Sequence, residues 1–116
     1  MFSIIIPLYN KAPYIEKAIR SVAAQTCQDF ELIVIDDGST DIAAPQPPKG
    51  GVIISYSDIE ALIGEKGFLL KQSNSGVSNT RNIGVKLAKY DHIAFLDADD
   101  WWAPTYLEEM KALITQ

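Results

Sequence analysis

The sequence predicts an α/β fold with a mainly parallel sheet flanked by helices. Three segments, 3–8, 31–35 and 92–96, are apolar at successive positions, which is typical of strands buried on both faces. Stretches with the helical spacing of apolar residues lie between and after them. Because strands that alternate with helices form right-handed β–α–β units, we expect the three strands to lie parallel in one sheet. The 116 residues suit one domain, which we place over the whole chain, 1–116.

Three helices are predicted around this sheet. The first begins at Pro13, a residue suited to the first helical turn. Its apolar stripe comprises Ile15, Ala18, Ile19 and Val22. The second begins near 75–78 and ends at Lys89. Its expected inner face comprises Val77, Thr80, Ile83, Gly84, Leu87 and Ala88. The third begins at Pro104. Its expected inner face comprises Tyr106, Leu107, Met110, Leu113 and Ile114.

The middle of the chain gives weaker signals. Segments 52–56 and 68–71 are candidate strands, and 58–63 is a candidate short helix with Asp58 as its N-cap. Segment 43–51, "AAPQPPKGG", predicts a loop, since its prolines and glycines disfavour a helix or a central strand.

Composition excludes several classes of function. The net charge of −5, without a Lys/Arg cluster, argues against a nucleic-acid partner. A single cysteine, Cys27, rules out an intrachain disulfide, and a single histidine, His92, disfavours a zinc site. No apolar run is long enough for a transmembrane segment. Pro7 and the lack of basic residues before it indicate a strand and not a signal peptide. We expect a cytoplasmic location, with peripheral contact at the inner membrane face as an option.

Polar residues follow each strong strand where it ends. Segment 9–10 follows the first strand, 36–39 the second and 97–100 the third. In open parallel sheets, ligands bind outside the carboxyl ends of the strands, so we expect these clusters to meet at one edge. In an extended segment Asp97 and Asp99 point to the same side, a spacing that suits a ligand or a metal between them.

Segment 97–100 contains three carboxylates in four positions, and their repulsion favours a bound cation. Mg²⁺ or Mn²⁺ would fit, because these ions take one or two carboxylates and fill their other positions with water and phosphate oxygens. The alternative is structural: Asp100 caps the third helix, and Asp36 or Asp41 binds turn amides.

The joint order of four motifs resembles the N-terminal half of family 2 glycosyltransferases, which have the Rossmann-like GT-A fold. The motifs are the opening strand, "DDGS" at 36–39, "GVSNTRN" at 76–82 and "DADD" at 97–100. The resemblance covers residues 2–41 and 68–114. It implies a domain that binds a nucleotide-diphosphate sugar, a UDP-sugar, at the carboxyl edge of the sheet. The sugar is then transferred to an acceptor with inversion.

The resemblance also implies roles for residues on the nucleotide side. Pro7 and Tyr9 would lie beside the base, Asp37 would accept a hydrogen bond from it, and Arg81 would lie near the nucleotide. Taken by themselves, Tyr9 could equally be an ordinary residue at a strand end and Arg81 a surface charge.

On the metal side, the resemblance implies a DxD motif. Asp99 would bind Mn²⁺ or Mg²⁺ directly, and Asp97 would lie near the ribose or the metal. Ala98, between them, belongs with the residues expected to bind the nucleotide sugar.

The sequence departs from the family pattern in two places. Segment 42–51 replaces a helix that the family normally has after "DDGSTD". The catalytic base, a carboxylate of the C-terminal half in inverting members, is not identified, since Glu108 and Glu109 read as solvated residues on a helix flank. We therefore expect a GT-A fold that is incomplete at its C-terminal side, and a chain that binds a donor but transfers little or no sugar. An apolar flank there would favour self-association.

Two alternative functions remain at this point. One is a non-catalytic module that binds a nucleotide sugar. The other is a Mg²⁺-dependent receiver-like phosphoacceptor domain, which also has acids at strand ends. The acceptor would be a saccharide or a lipid-linked saccharide, and the identity of the sugar stays open.

Overall fold

The computed structural model describes residues 1–42 and 54–115 and contains four strands and four α-helices in those ranges. A short 3₁₀ turn, Gly64–Lys66, precedes the third strand. In chain order the elements are β1 (Phe2–Leu8), α1 (Ala12–Ala23), β2 (Phe30–Asp36), α2 (Tyr56–Ile63), β3 (Gly67–Lys71), α3 (Val77–Leu87), β4 (His92–Phe95) and α4 (Tyr106–Ile114).

The four strands form one parallel sheet with the order β3–β2–β1–β4. β1 lies in the centre, so Ile5 pairs with Ile33 of β2 on one side and with Phe95 of β4 on the other. This arrangement confirms the predicted parallel α/β fold. It also confirms the strands predicted at 3–8, 31–35, 68–71 and 92–96, with boundaries shifted by one residue at most.

The two central strands are buried on both faces, which explains why their sequences do not alternate. One face of the sheet, with Ile4, Ile6, Leu32 and Val34, packs against residues of α1, α2 and α4. The opposite face, with Ile5, Ile33 and Ile35, packs against Ile83 of α3 and neighbouring apolar side chains. No helix in the described ranges is long and apolar enough to span a membrane.

α2 begins earlier than expected. Ser55, and not Asp58, is its N-cap: the Ser55 hydroxyl accepts from the Asp58 amide at 3.1 Å, and Asp58 Oδ2 accepts from the Ser55 amide at 3.0 Å. This reciprocal pair is a capping box, which satisfies two amides at once. The strand predicted over 52–56 is therefore wrong at its end, where Tyr56 is helical. Residues 52–53 and the predicted loop 43–51 lie outside the described residues.

The inner faces of the last two helices are narrower than predicted. In α3, Thr80 and Gly84 are buried, whereas Val77 and Leu87, at its two ends, are exposed. In α4, Leu107 is buried, and Tyr106 and Met110 pack beside it. Leu113 and Ile114, in the last turn of α4, are exposed. The packing of α4 against the core, as far as the structure describes it, is confined to its first turns.

The contact between α3 and β1 leaves no room at Gly84. A Cβ atom there would lie 2.6 Å from Ile5 Cγ2 and 2.9 Å from Ile5 Cδ1. Ile5 is fully buried and β-branched, so it has no alternative position to adopt. We therefore expect Gly84→Ala to lower the free energy of unfolding by about 1–3 kcal/mol, measured by urea denaturation.

The neighbouring substitution Val85→Ala is the matched control. Val85 is 45% exposed, and its truncation should change stability by less than about 0.5 kcal/mol. Equal stabilities for the two variants would show that α3 can move away from β1 without cost.

Candidate functional site

A cavity of about 470 Å³ opens at the carboxyl edge of the sheet. Three separate connections line it: the residues after β1, those after β2 and those after β4. The predicted site residues among its walls are Pro7, Tyr9, Asp37, Asp97, Ala98 and Asp99. Sequence reasoning missed three further polar lining residues, Lys11, Asn74 and Thr80. The acidic clusters therefore do meet at one edge, as their positions after parallel strands predicted.

Asp37 is buried and accepts hydrogen bonds from the 72–76 loop, which leads into α3. Its Oδ1 accepts from the Ser75 amide at 2.8 Å and from Gln72 Nε2 at 3.0 Å. Its Oδ2 accepts from the Gly76 amide at 3.0 Å and from Asn74 Nδ2 at 3.4 Å. The carboxylate thus fixes the conformation of this loop and the start of α3.

These contacts also decide the charge of Asp37. Burial raises its pKa, but the hydrogen bonds from Gln72, Ser75 and Gly76 together lower it below the usual 3.8. The side chain is therefore ionised at neutral pH. A hydrogen bond from a nucleotide base to Asp37 stays a prediction, and such a base would share the carboxylate with the loop.

The two carboxylates of the predicted DxD motif are each paired with a basic side chain. Arg81 Nη2 lies 3.3 Å from Asp97 Oδ1, and Lys11 Nζ lies 3.5 Å from Asp99 Oδ2. The cations come from α3 and from the residue before α1. Each acid therefore has its own basic partner, which reduces the repulsion between the two carboxylates. The third carboxylate, Asp100, accepts from the amide of its neighbour Trp101 at 2.8 Å. It does not cap α4, whose N-cap is Thr105.

Arg81 lies on the aromatic ring of Phe95, with its guanidinium carbon 5.8 Å from the ring centre. This stacking and the Asp97 contact hold the guanidinium beside the cavity. Its Nε atom is buried, and no hydrogen-bond partner is found for it among the described residues. Arg81 is not among the residues that line the cavity, so its contact with a nucleotide stays a prediction.

The donor set fits part of a divalent-cation site. Asp97 and Asp99 offer hard oxygen ligands in the cavity wall. Within residues 1–42 and 54–115, no group of three or more His, Cys, Asp and Glu residues is arranged to hold a metal by itself. Two carboxylates are what Mg²⁺ commonly takes when phosphate and water complete its shell. The residues present are compatible with a metal that binds together with a phosphate ligand.

The turn after β2 links the site to the first two helices. The Asn10 amide donates to Ser39 Oγ at 3.0 Å, and Asn10 Oδ1 accepts from the Thr40 amide at 2.8 Å. Asp41 Oδ2 accepts from the Ala12 amide at 2.9 Å and so caps α1 from a distant part of the chain. Tyr9, which follows β1, is left 46% exposed at the cavity.

Asp36 holds α2 in the same way. Its Oδ2 accepts from the Tyr56 hydroxyl at 2.5 Å, while its Oδ1 accepts from the Ser39 amide at 3.2 Å. Burial, together with this hydrogen bond, raises the pKa of Tyr56, so the phenol remains a donor.

Sequence comparison identifies the family. The family model described as "Glycosyl transferase family 2" matches residues 3–47 and 52–116. The chain belongs to glycosyl transferase family 2. Among curated family members, the uncharacterized glycosyltransferase EpsJ of Bacillus subtilis is 37% identical over 101 residues, 87% of this chain and 26% of EpsJ. An uncharacterized glycosyltransferase of Haemophilus influenzae is 35% identical over 116 residues, 100% of this chain and 43% of the relative.

Solved structures agree with this family membership. The crystal structure of S. aureus TarS 1–349 in complex with UDP-GlcNAc superposes with a TM-score of 0.79 at 29% identity. The superposition covers 98% of this chain and 31% of the TarS chain. The fold is thus that of TarS, the Rossmann-like GT-A fold. The chain spans less than half the length of these relatives.

The Asp37 network predicts a pH-dependent stability. In Asp37→Asn an amide NH₂ would face backbone donors, so we expect a loss of about 1–3 kcal/mol in the free energy of unfolding at neutral pH. Because folding lowers the pKa of Asp37 below 3.8, its ionised form stabilises the fold above that value. This stabilisation is lost as the pH falls through the folded pKa. The difference between wild type and variant should be constant above about pH 5 and shrink below about pH 4, measured by urea denaturation.

Asp100→Asn provides the control, since Asp100 is exposed and its carboxylate contacts a neighbouring amide. It should change stability by less than about 0.5 kcal/mol at neutral pH. If Asp37→Asn proved as stable as the control, the carboxylate would not be what holds the 72–76 loop.

Proposed function

We propose that this chain is the donor-binding part of a glycosyltransferase. It binds a nucleotide-diphosphate sugar, a UDP-sugar, together with Mn²⁺ or Mg²⁺, for transfer of the sugar to an acceptor with inversion. One observation carries the proposal: residues after three different strands, matching the family's motifs, line a single cavity at the carboxyl edge of the sheet. The complexes of TarS with UDP and with UDP-GlcNAc support a uridine nucleotide as the ligand.

Each part of the cavity fits one part of such a donor. Pro7 and the half-exposed Tyr9 offer an apolar wall and an aromatic surface for a base. Asp37, which follows β2, holds the 72–76 loop at the cavity. Asp97 and Asp99, which follow β4, are the carboxylates that would hold the metal, and Ala98 between them is buried.

The diphosphate needs positive charge, because negative charge grows on it as the glycosidic bond breaks. A bound divalent ion supplies this neutralisation without proton transfer. Arg81, which pairs with Asp97 at 3.3 Å and lies against Phe95, contributes a positive charge beside the metal ligands. The chain's own residues thus bind and orient the donor and balance its charge.

The catalytic base is the part of the machinery without a candidate in the described residues. Glu108 and Glu109 are exposed on α4, and Glu108 accepts a hydrogen bond from Thr26, a residue that is not among those lining the cavity. We infer that this chain alone binds the donor with little or no transfer. A non-catalytic binding module would use the same cavity and differ in turnover. Family membership favours both over a receiver-like phosphoacceptor. A saccharide or lipid-linked acceptor and a cytoplasmic location stay predictions.

Calorimetric titration with UDP tests the proposal. We expect UDP to bind in the presence of Mn²⁺ and to bind more weakly after chelation of the metal. Asp99→Asn should lower the Mn²⁺-dependent affinity for UDP at least about tenfold, since it removes a predicted metal ligand. The variant should keep its free energy of unfolding within about 0.5 kcal/mol of wild type, because Asp99 and its Lys11 partner are exposed.

Asp29→Asn is the matched control, since Asp29 is an equally exposed acid that pairs with Lys111 at 2.9 Å far from the cavity. Its affinity for UDP should equal that of wild type. Absence of UDP binding by wild type with and without Mn²⁺ would refute the donor site. Unfolding of Asp99→Asn would instead assign this acid a structural role.

A further inference from the structure

We propose that the ammonium group of Lys11 changes its ion-pair partner when the donor binds. While the cavity is empty, it pairs with Asp99. When a divalent ion binds Asp99, it pairs instead with the diphosphate of the donor. This inference rests on the proposed function and adds a residue that the family motifs did not single out. Lys11 would therefore lower the affinity of the site for the metal and raise its affinity for the nucleotide.

The position of Lys11 supports the exchange. Its backbone is fixed, because its carbonyl accepts from the amides of Tyr14 at 2.9 Å and Ile15 at 3.0 Å at the start of α1. Its side chain lines the cavity and reaches Asp99, with Nζ 3.5 Å from Oδ2. A flexible side chain on a fixed backbone can move its ammonium group between two nearby anions without any change of fold.

The pair with Asp99 is weak enough to be exchanged. The side chains of Lys11 and Asp99 are 44% and 47% exposed, and ion pairs at such positions contribute little to stability. A divalent ion bound to Asp99 would carry twice the charge of the ammonium and would repel it. The diphosphate of a donor bound in the same cavity would then be the anion available to Lys11. The strongly hydrated, compact ammonium of lysine suits contact with a phosphate as a point charge.

The second ion pair of the site has a similar exposure, 39% for Arg81 and 59% for Asp97, and Arg81 is not among the residues that line the cavity. The distances from each cation to an aromatic ring are also similar, 5.8 Å from Arg81 to Phe95 and 6.0 Å from Lys11 to Tyr14. What distinguishes Lys11 is its position: among the described residues it is the one basic side chain in the cavity lining.

The test compares Lys11→Gln with Lys111→Gln in two titrations. Lys111 pairs with Asp29 at 2.9 Å, with exposures of 49% and 54%, so it is a matched ion pair outside the cavity. Without nucleotide, Mn²⁺ alone should bind Lys11→Gln about two- to fivefold more tightly than wild type, because its competitor is gone. With saturating Mn²⁺, UDP should bind Lys11→Gln about three- to tenfold more weakly. The Lys111→Gln values should equal those of wild type in both titrations.

The outcomes separate the two claims. Normal UDP binding by wild type with unchanged affinities in Lys11→Gln would overturn the role of Lys11 and leave the donor site standing. Weaker binding of both Mn²⁺ and UDP by Lys11→Gln, or a lowered melting temperature, would also overturn it. These results would show that Lys11 merely supports the structure of the site, because loss of a competing cation should strengthen Mn²⁺ binding. If wild type binds Mn²⁺ but no UDP, the proposed function fails, and the titration with Mn²⁺ alone still decides whether Lys11 competes with the metal.

Discussion

The parallel pairing of β1 with two neighbours determines where every functional side chain lies. β1 pairs with β2 from Phe2 to Leu8 and with β4 from Phe2 to Ile5, so all three chains run in the same direction. Their carboxyl ends therefore open at one edge, and Tyr9, Asp37 and Asp97 emerge there although up to 88 positions separate them. Packing on both faces fixes this pairing: Ile5 lies against Gly84 of α3 on one face, and Ile4 and Ile6 pack in the core of the other, so a shifted register would disrupt both sets of contacts.

The carboxylates of the site have two different kinds of partner. Asp37 is buried and has five hydrogen-bond donors from the 72–76 loop, so its charge is part of the fold. Asp97 and Asp99 are exposed, and cationic side chains neutralise them. Water or a ligand can replace a cationic partner of that kind at little cost. The charge of Asp37 is thus bound by the 72–76 loop. The charges of Asp97 and Asp99 are paired with side chains that a metal and a diphosphate could replace.

The sequence predicted what depends on local pattern and missed what depends on contacts across the chain. Uninterrupted apolar runs identified the strands, and acids after those runs identified the cavity wall, because strand direction alone decides both. Lys11 could not be identified in this way as the partner of Asp99, since the two residues lie 88 positions apart. The motif around Asp99 does not specify where in the chain a basic partner lies. The start of α2 was missed for a simpler reason: its capping box uses Asp58 where Glu or Gln is usual.

The turn after β2 explains how the cavity can persist despite the unusual segment that follows it. Asp36 binds Tyr56 of α2, Asp37 binds the loop before α3, and Asp41 caps α1. One short turn therefore positions an element on each side of the sheet. These three acids lie within residues 3–47, and their hydrogen-bond partners lie within the two matched ranges, 3–47 and 52–116. The unmatched residues 48–51 supply none of these contacts, so the interactions that shape this side of the cavity belong to the part of the chain that follows the family pattern.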